Sequence, residues 1–419
     1  MDAPRLPAPC GTWPSPLTAT VCARAALRLA QPRLTGERVY WIEGRAAEGG
    51  RCALVLREAD GRLRDAVPAP FSVRSRAQEA GGGAYAVHGD DLWFVNDADQ
   101  CLWHLRLGAA PRRLTPPDGA RYADLQYDAR RHALLAVRED LAADAHRPPA
   151  ALVRIDCADG TVHTLVAGRD FLGAPRLSPD GARLAWLAWD APLMPWDGTE
   201  LWLAALDDAG MPHAARRVAG GRDESLCQPE WGPDGALYVM SDRSGWWNLQ
   251  RVPGDGTDLV PVAPLAADCA FPAWQFGMSS WGFADRRTAV CAAARDGIWS
   301  LVAFDLARGT SRTLAVPCNT VEHLHVADGR LVALAGDAAT PPGIVLHTFA
   351  TGHTEVLRSA TALELAPDMI ATPRAVQFTG AGGDVLHGFY YPPRHARYTV
   401  PAEEKPPLIL RCHGGPTAA

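Results

Sequence analysis

Residues Ala174–Asp190 read APRLSPDGARLAWLAWD, and Gln228–Gly245 read QPEWGPDGALYVMSDRSG. In both, a short apolar stretch meets Pro-Asp-Gly and then alternates apolar with polar residues. Proline presets φ at the second position of a tight turn, aspartate bonds the neighbouring backbone, and glycine accepts positive φ. Each stretch is therefore expected to form two antiparallel strands joined by a hairpin turn.

The same grammar recurs as PRLTGERVYWIEG from Pro32, YAVHGDDLWFVND from Tyr85, LQYDARRHALLAV from Leu125, WGFADRRTAVCAA from Trp281 and LHVADGRLVALAG from Leu324. The apolar residues just before the seven turns are Leu34, Val87, Tyr127, Leu177, Trp231, Phe283 and Val326, at intervals of 53, 40, 50, 54, 52 and 43 residues. Strand and turn repeating at about 40–50 residues is the signature of a β-propeller with one four-stranded sheet per period. The fold class is accordingly all-β, a seven-bladed propeller, whose SPDG and SDRSG stretches resemble TolB-like repeats. Degenerate turns in repeats two, three and six leave six or eight blades as the alternatives.

One blade reads in full: Glu230-Trp231 end the first strand, ALYVMS is the second, WWNLQRV the third and DLVPVA the fourth. Blade packing accounts for Trp41, Trp93, Trp186, Trp202, Trp231 and Trp299 without a ligand. Between the second and third strands of repeat four, Trp189–Trp202 exceeds the four-residue DRSG turn of the next repeat. Such a surplus loop is either a functional element or a structural insertion.

Composition excludes several classes. With 47% hydrophobic and 21% charged residues and a net charge of −6, the chain has no basic footprint for nucleic acid. The opening MDAPRLPAPCGTW lacks the basic head and apolar run of a secretory signal, and no stretch approaches the roughly 18 apolar residues of a membrane helix. Ten cysteines lie far apart with no C-x-x-C pair, which reads as reduced thiols in a cytoplasmic protein. His323 and His325, with Cys318 near, lack further ligands for a metal and read as strand-surface histidines. The acidic HGDDLWFVNDADQ (His88–Gln100) lacks the calcium-loop pattern and reads as turn chemistry. With no phosphate-binding glycine loop either, no cofactor is expected. The sequence leaves oligomeric state open.

Past Ser359 the period stops. The expected organisation is a lead-in over 1–28, the propeller over 29–358, a connector over 359–372 and the start of another domain over 373–419. RAVQFTGAGGDVLHGFYYPP reads as a hairpin around Gly380–Gly383. Leu408-Ile409-Leu410-Arg411-Cys412 reads as a strand covered on both faces, as in a parallel sheet. It runs into His413-Gly414-Gly415-Pro416. A glycine pair after such a strand lets backbone approach a substrate oxygen closely, as in the oxyanion loop of α/β-hydrolases.

These residues carry a resemblance. PRLSPDGARLAWLAWD with MPWDGTELW, CQPEWGPDG with SDRSGWWNL, FYYPP, and KPPLILRCHGGPT, spanning about Gly11 to Thr417, resemble the N-terminal part of the prolyl oligopeptidase family of serine peptidases. The nearest likeness is to its acylaminoacyl-peptidase and dipeptidyl-aminopeptidase-like branch. The resemblance implies a seven-bladed cap over an α/β-hydrolase domain, with short peptides as substrates. It implies that Gly415, helped by Gly414, supplies an oxyanion-hole amide, and that His413 and Pro416 are structural residues of that loop.

No G-x-S-x-G nucleophile elbow occurs in the sequence; GMSSWG at Gly277 has the wrong spacing. The triad is expected beyond Ala419, the chain is expected to be an inactive N-terminal fragment, and residues after about Arg374 are expected to be protease-sensitive. A stand-alone TolB-like binding module is the competing expectation; the PPLILRCHGGPT tail favours the peptidase.

Overall fold

In the computed structural model, which describes residues 5–23, 26–254, 258–412 and 414, seven four-stranded antiparallel sheets follow one another along the chain. Their first strands are Arg28–Thr35, Tyr85–His88, Ala120–Asp128, Phe171–Leu177, Leu226–Trp231, Trp281–Phe283 and Thr320–Ala327. The seven expected anchors all fall within the last three residues of these strands. Pro-Asp-Gly chemistry is local, so it reports where a strand must stop.

The core divides into seven apolar clusters, one at each seam between neighbouring blades. Tyr40, Leu54, Tyr85 and Phe94 fill the first seam, and Trp281, Phe304, Met240 and Cys291 the fifth. The seventh, built from Leu29, Val39, Trp41, Val332 and Ile344, joins the last blade to the first and closes the ring. Trp41, Trp93 and Trp186 are buried in these seams, whereas Trp202, Trp231 and Trp299 are packed against them and only partly buried. Each sheet holds four consecutive strands, so no strand crosses from the last blade into the first. Side-chain pairs and one backbone bond, Leu27 N to Ala360 O at 2.8 Å, fasten the closing seam. Glu43, 1% exposed, takes Arg358 at 2.7 Å, and Arg57 faces Glu355 at 3.4 Å.

The first strands also break their own alternation. Register shifts occur at Ala30/Arg33, Ala123/Gln126, Gly173/Arg176, Cys227/Glu230 and Glu322/His325, and Gln31, Asp124, Ala174, Gln228 and His323 there adopt positive φ near +50°. Such bulges re-aim backbone groups, and here they send hydrogen bonds from blade to blade. Leu125 N donates to Gly83 O, Ala174 N to an Asp124 carboxylate oxygen, Ser280 N to Gln228 Oε1 and Leu324 N to Ser279 O. Trp231 Nε1 donates to Arg176 O, Leu34 N to His325 Nδ1 and Tyr85 OH to Gln31 O. Every seam carries one of these bonds.

Two expectations are corrected. The bulge at His323 breaks the strand on which His323 and His325 were expected to show one surface face, and both rings turn inward. Burial lowers His323 to about 4 and His325 to about 3, the latter helped by the nearby Arg33 charge. The strand expected over Leu408–Cys412 is absent: Leu408, Ile409 and Leu410 are 80%, 90% and 79% exposed and in no strand. A parallel strand forms only against neighbours, and no described strand pairs with this segment.

The hairpin does form, Arg374–Thr379 pairing with Val385–Tyr390, with both faces largely exposed. Leu6–Pro7 pairs in parallel with Tyr398–Thr399. Trp13 stacks on Tyr398, and His395 Nε2 donates to Pro14 O at 3.0 Å while its Nδ1 accepts from Arg397 N. The lead-in thus attaches to the segment after the propeller.

Candidate functional site: the loop-bearing face

A four-stranded meander places the start of its first strand, its second-to-third loop and its exit at one end. The chain enters the ring at Arg28 and leaves at Ser359, so entry, exit and these connections share one face. The turns on the opposite face are short, as at Gly36-Glu37 and Asp328-Gly329. The loop-bearing face carries the two longest connections between blades, 66–84 and 262–280, and the surplus loop 190–199 of blade four. The long anchor intervals of 53, 54 and 52 residues were the sequence signal for all three. The hairpin after the propeller touches this same face, since a β-carbon at Gly297 would lie 2.9 Å from the Phe389 ring.

Near the axis of this face is a cavity of about 70 Å³. Its polar floor is Asp124, Arg176 and Gln228, and Leu187, Trp189, Phe271 and Phe276 wall it. Burial works against the Arg176 charge, but Glu230 at 3.0 Å and Asp124 at 3.7 Å more than restore it. Above the wall, Trp196 of loop 190–199 meets Trp274 of connection 262–280 at 4.4 Å between ring centroids. Trp274 is 42% exposed, and Met194 beside Pro195 44%.

Beside blades three and four a larger cleft of about 810 Å³ opens. Arg121 pairs with Glu79, Arg147 with Asp170 and Arg169 with Asp190 around it. Glu139, 4% exposed, has no ion pair there. Both its oxygens accept from Gln78 N at 3.0 Å, and burial raises it above the usual carboxylate range despite that bond and the Arg121 charge.

Of the expected site residues, Gly414 is exposed beyond the hairpin, while His413, Gly415 and Pro416 lie outside the described residues. No group of three or more His, Cys, Asp or Glu among the described residues could hold a metal ion. No described helix is long and apolar enough to cross a membrane. Nine of the ten cysteines are placed as free thiols.

No protein-family model matches the sequence, and no curated protein does. Among solved structures, a Mycobacterium tuberculosis puromycin-hydrolysing peptidase is 32% identical with a TM-score of 0.90, the match covering 96% of this chain and 64% of that one. A puromycin hydrolase matches at 32% identity and a TM-score of 0.90, over 98% of this chain and 65% of its own. Prolyl oligopeptidase B of Galerina marginata, at 12% identity and a TM-score of 0.65 over 87% of this chain and 55% of that chain, shares the fold. The chain thus spans less than two thirds of the length of these relatives.

Proposed function

We infer, for a chain that belongs by its propeller to the prolyl oligopeptidase family of peptidases, that it is the cap of a cytoplasmic serine peptidase acting on short peptides and aminoacyl amides. The observation that carries this is the match to a puromycin-hydrolysing peptidase over 96% of the chain. The exit of the chain on its loop-bearing face supports it, because a domain following Ser359 would stand over the cavity, the cleft and the Trp196–Trp274 pair.

In this reading Gly415, with Gly414, gives a backbone N–H to the oxyanion, and His413 and Pro416 shape that loop. The nucleophile, general base and acid belong to the part of such peptidases that this chain does not span, since no G-x-S-x-G elbow occurs in it. The 419 residues alone are inactive. The propeller's part is to limit what reaches the reacting atoms, a positioning and exclusion role.

The test is release of free amine from puromycin and from short peptide amides. The protein carrying its hydrolase part should turn these over and lose activity when a fluorophosphonate labels one serine. Persistent turnover with that serine labelled, or none at all, refutes the serine-peptidase reading. Turnover by the 419-residue chain alone refutes the assignment of the triad outside it.

A further inference from the structure

Connection 66–84 leads into blade two and connection 262–280 into blade six. The ring places blades seven and one between them on one side and blades three, four and five on the other, so their first strands face each other across the axis. Yet Gly82 and Phe276 form a parallel bridge, and Phe276 N donates to Gly81 O at 2.9 Å. Backbone from opposite sides of the ring meets over the axial channel.

The crossing touches every other blade. The Phe276 ring, 8% exposed, lies against Gly173 of blade four, where a β-carbon would stand 3.4 Å from it. A β-carbon on Gly277 would lie 2.9 Å from Gly83 N and 3.8 Å from Gln31 Oε1 of blade one. Gly83 O accepts from Leu125 of blade three, Ser280 N reaches Gln228 of blade five, and Ser279 O accepts from Leu324 of blade seven.

The run Gly81-Gly82-Gly83 is what lets the backbones stack so closely. Their φ values are +68°, +99° and +54°. β-Carbons at Gly81 and Gly82 would fall on the carbonyl oxygens of Ser75 and Phe276, and one at Gly83 would stand 2.5 Å from Asp124 Cα. Only glycine fits three such positions in a row.

We propose that these two connections bolt the axial channel shut at the loop-bearing face, so that a ligand of this face arrives from the side. The cleft of about 810 Å³ beside blades three and four is then the open approach. The inference does not depend on the peptidase reading, because it concerns only the propeller present in this chain.

Hydrogen exchange and thiol alkylation test it on the 419-residue chain. The Phe276 amide should exchange about a hundredfold more slowly than that of exposed Gln275, as a cooperative element does. Gly82→Ala should abolish that protection. It should also raise iodoacetamide labelling of Cys227, which is 7% exposed and lines the same cavity as Phe276 and Gly277, at least about tenfold by mass spectrometry. Gly89→Ala, at a turn with nothing within 4 Å of the added carbon, is the control and should change neither readout. Unchanged Phe276 exchange and Cys227 labelling in Gly82→Ala overturn the proposal. Should that variant fail to fold, wild-type exchange decides alone: loop-like exchange at Phe276 overturns it and strand-like exchange supports it.

Discussion

Acid should loosen the ring at its closing seam, and His325 should carry a measurable share of the effect. Leu34 N of blade one donates to His325 Nδ1 of blade seven at 3.2 Å, so the ring must be neutral at that nitrogen. Burial and then the Arg33 charge hold its folded value at about 3, against an ordinary 6.5. A base depressed on folding takes up protons more readily when unfolded. Its contribution is full above about pH 6.5 and is lost as pH falls from there towards 3. At pH 5 the group is about 1.5 units inside this window, and at 1.36 kcal/mol per unit the loss is about 2 kcal/mol. Because the ring keeps an edge in contact with solvent, about 1–2 kcal/mol is the expected range. Glu139, Glu322, Asp242 and Asp268 are raised by burial and shift stability the opposite way on acidification, so absolute stabilities mix both signs. The clean measurement is a difference: urea unfolding of the wild type and of His325→Gln at pH 7.5 and pH 5.0. Glutamine accepts through oxygen and does not titrate, so the wild type's advantage should shrink by about 1–2 kcal/mol between the two pH values. A gap that stays constant within about 0.5 kcal/mol would show that the Leu34 bond does not depend on a neutral imidazole, and the argument fails.

Three other outcomes follow from the same geometry. Glu43→Ala should cost about 3 kcal/mol by thermal unfolding, since it strands Arg358, Arg45 and Trp41 Nε1 around an empty buried site, whereas Arg57→Ala at the exposed Glu355 pair should cost under about 1 kcal/mol; equal costs would deny the buried pair its role in the seam. Gly160→Ala puts a carbon onto Leu114 O at φ +79°, so it should cost at least about 2 kcal/mol more than Gly89→Ala, where only left-handed strain of about 1–2 kcal/mol applies. Limited proteolysis should cut first within 374–412, where Phe378, Val385, Tyr391 and Leu408–Leu410 are exposed, and leave a fragment that ends in that window and keeps the whole propeller; cleavage first between blades would contradict this.

What the sequence disclosed and what it hid divide along contact distance. Tight turns are written in three or four adjacent residues, and each anchor from Leu34 to Val326 sits at a strand end for that reason. The bulges have no such writing: Gln31, Asp124, Ala174, Gln228 and His323 share a backbone conformation but no side-chain chemistry. Tertiary bonds between blades hold these conformations, so a local pattern cannot report them. The same holds for His325, whose hydrogen-bond donor is a backbone amide nearly three hundred residues away. The crossing of Gly82 and Phe276 lies between these extremes. Its partner is remote, but its steric demand is local, and three consecutive glycines before a strand already require that something else pass where side chains would be. What the triplet could not say is what passes there. The Leu408–Cys412 run shows the converse, an apolar pattern of a buried strand that forms no strand and stays bare where none pairs with it. Apolar patterning states which surface a segment needs covered, and only a partner in the structure turns that need into an element.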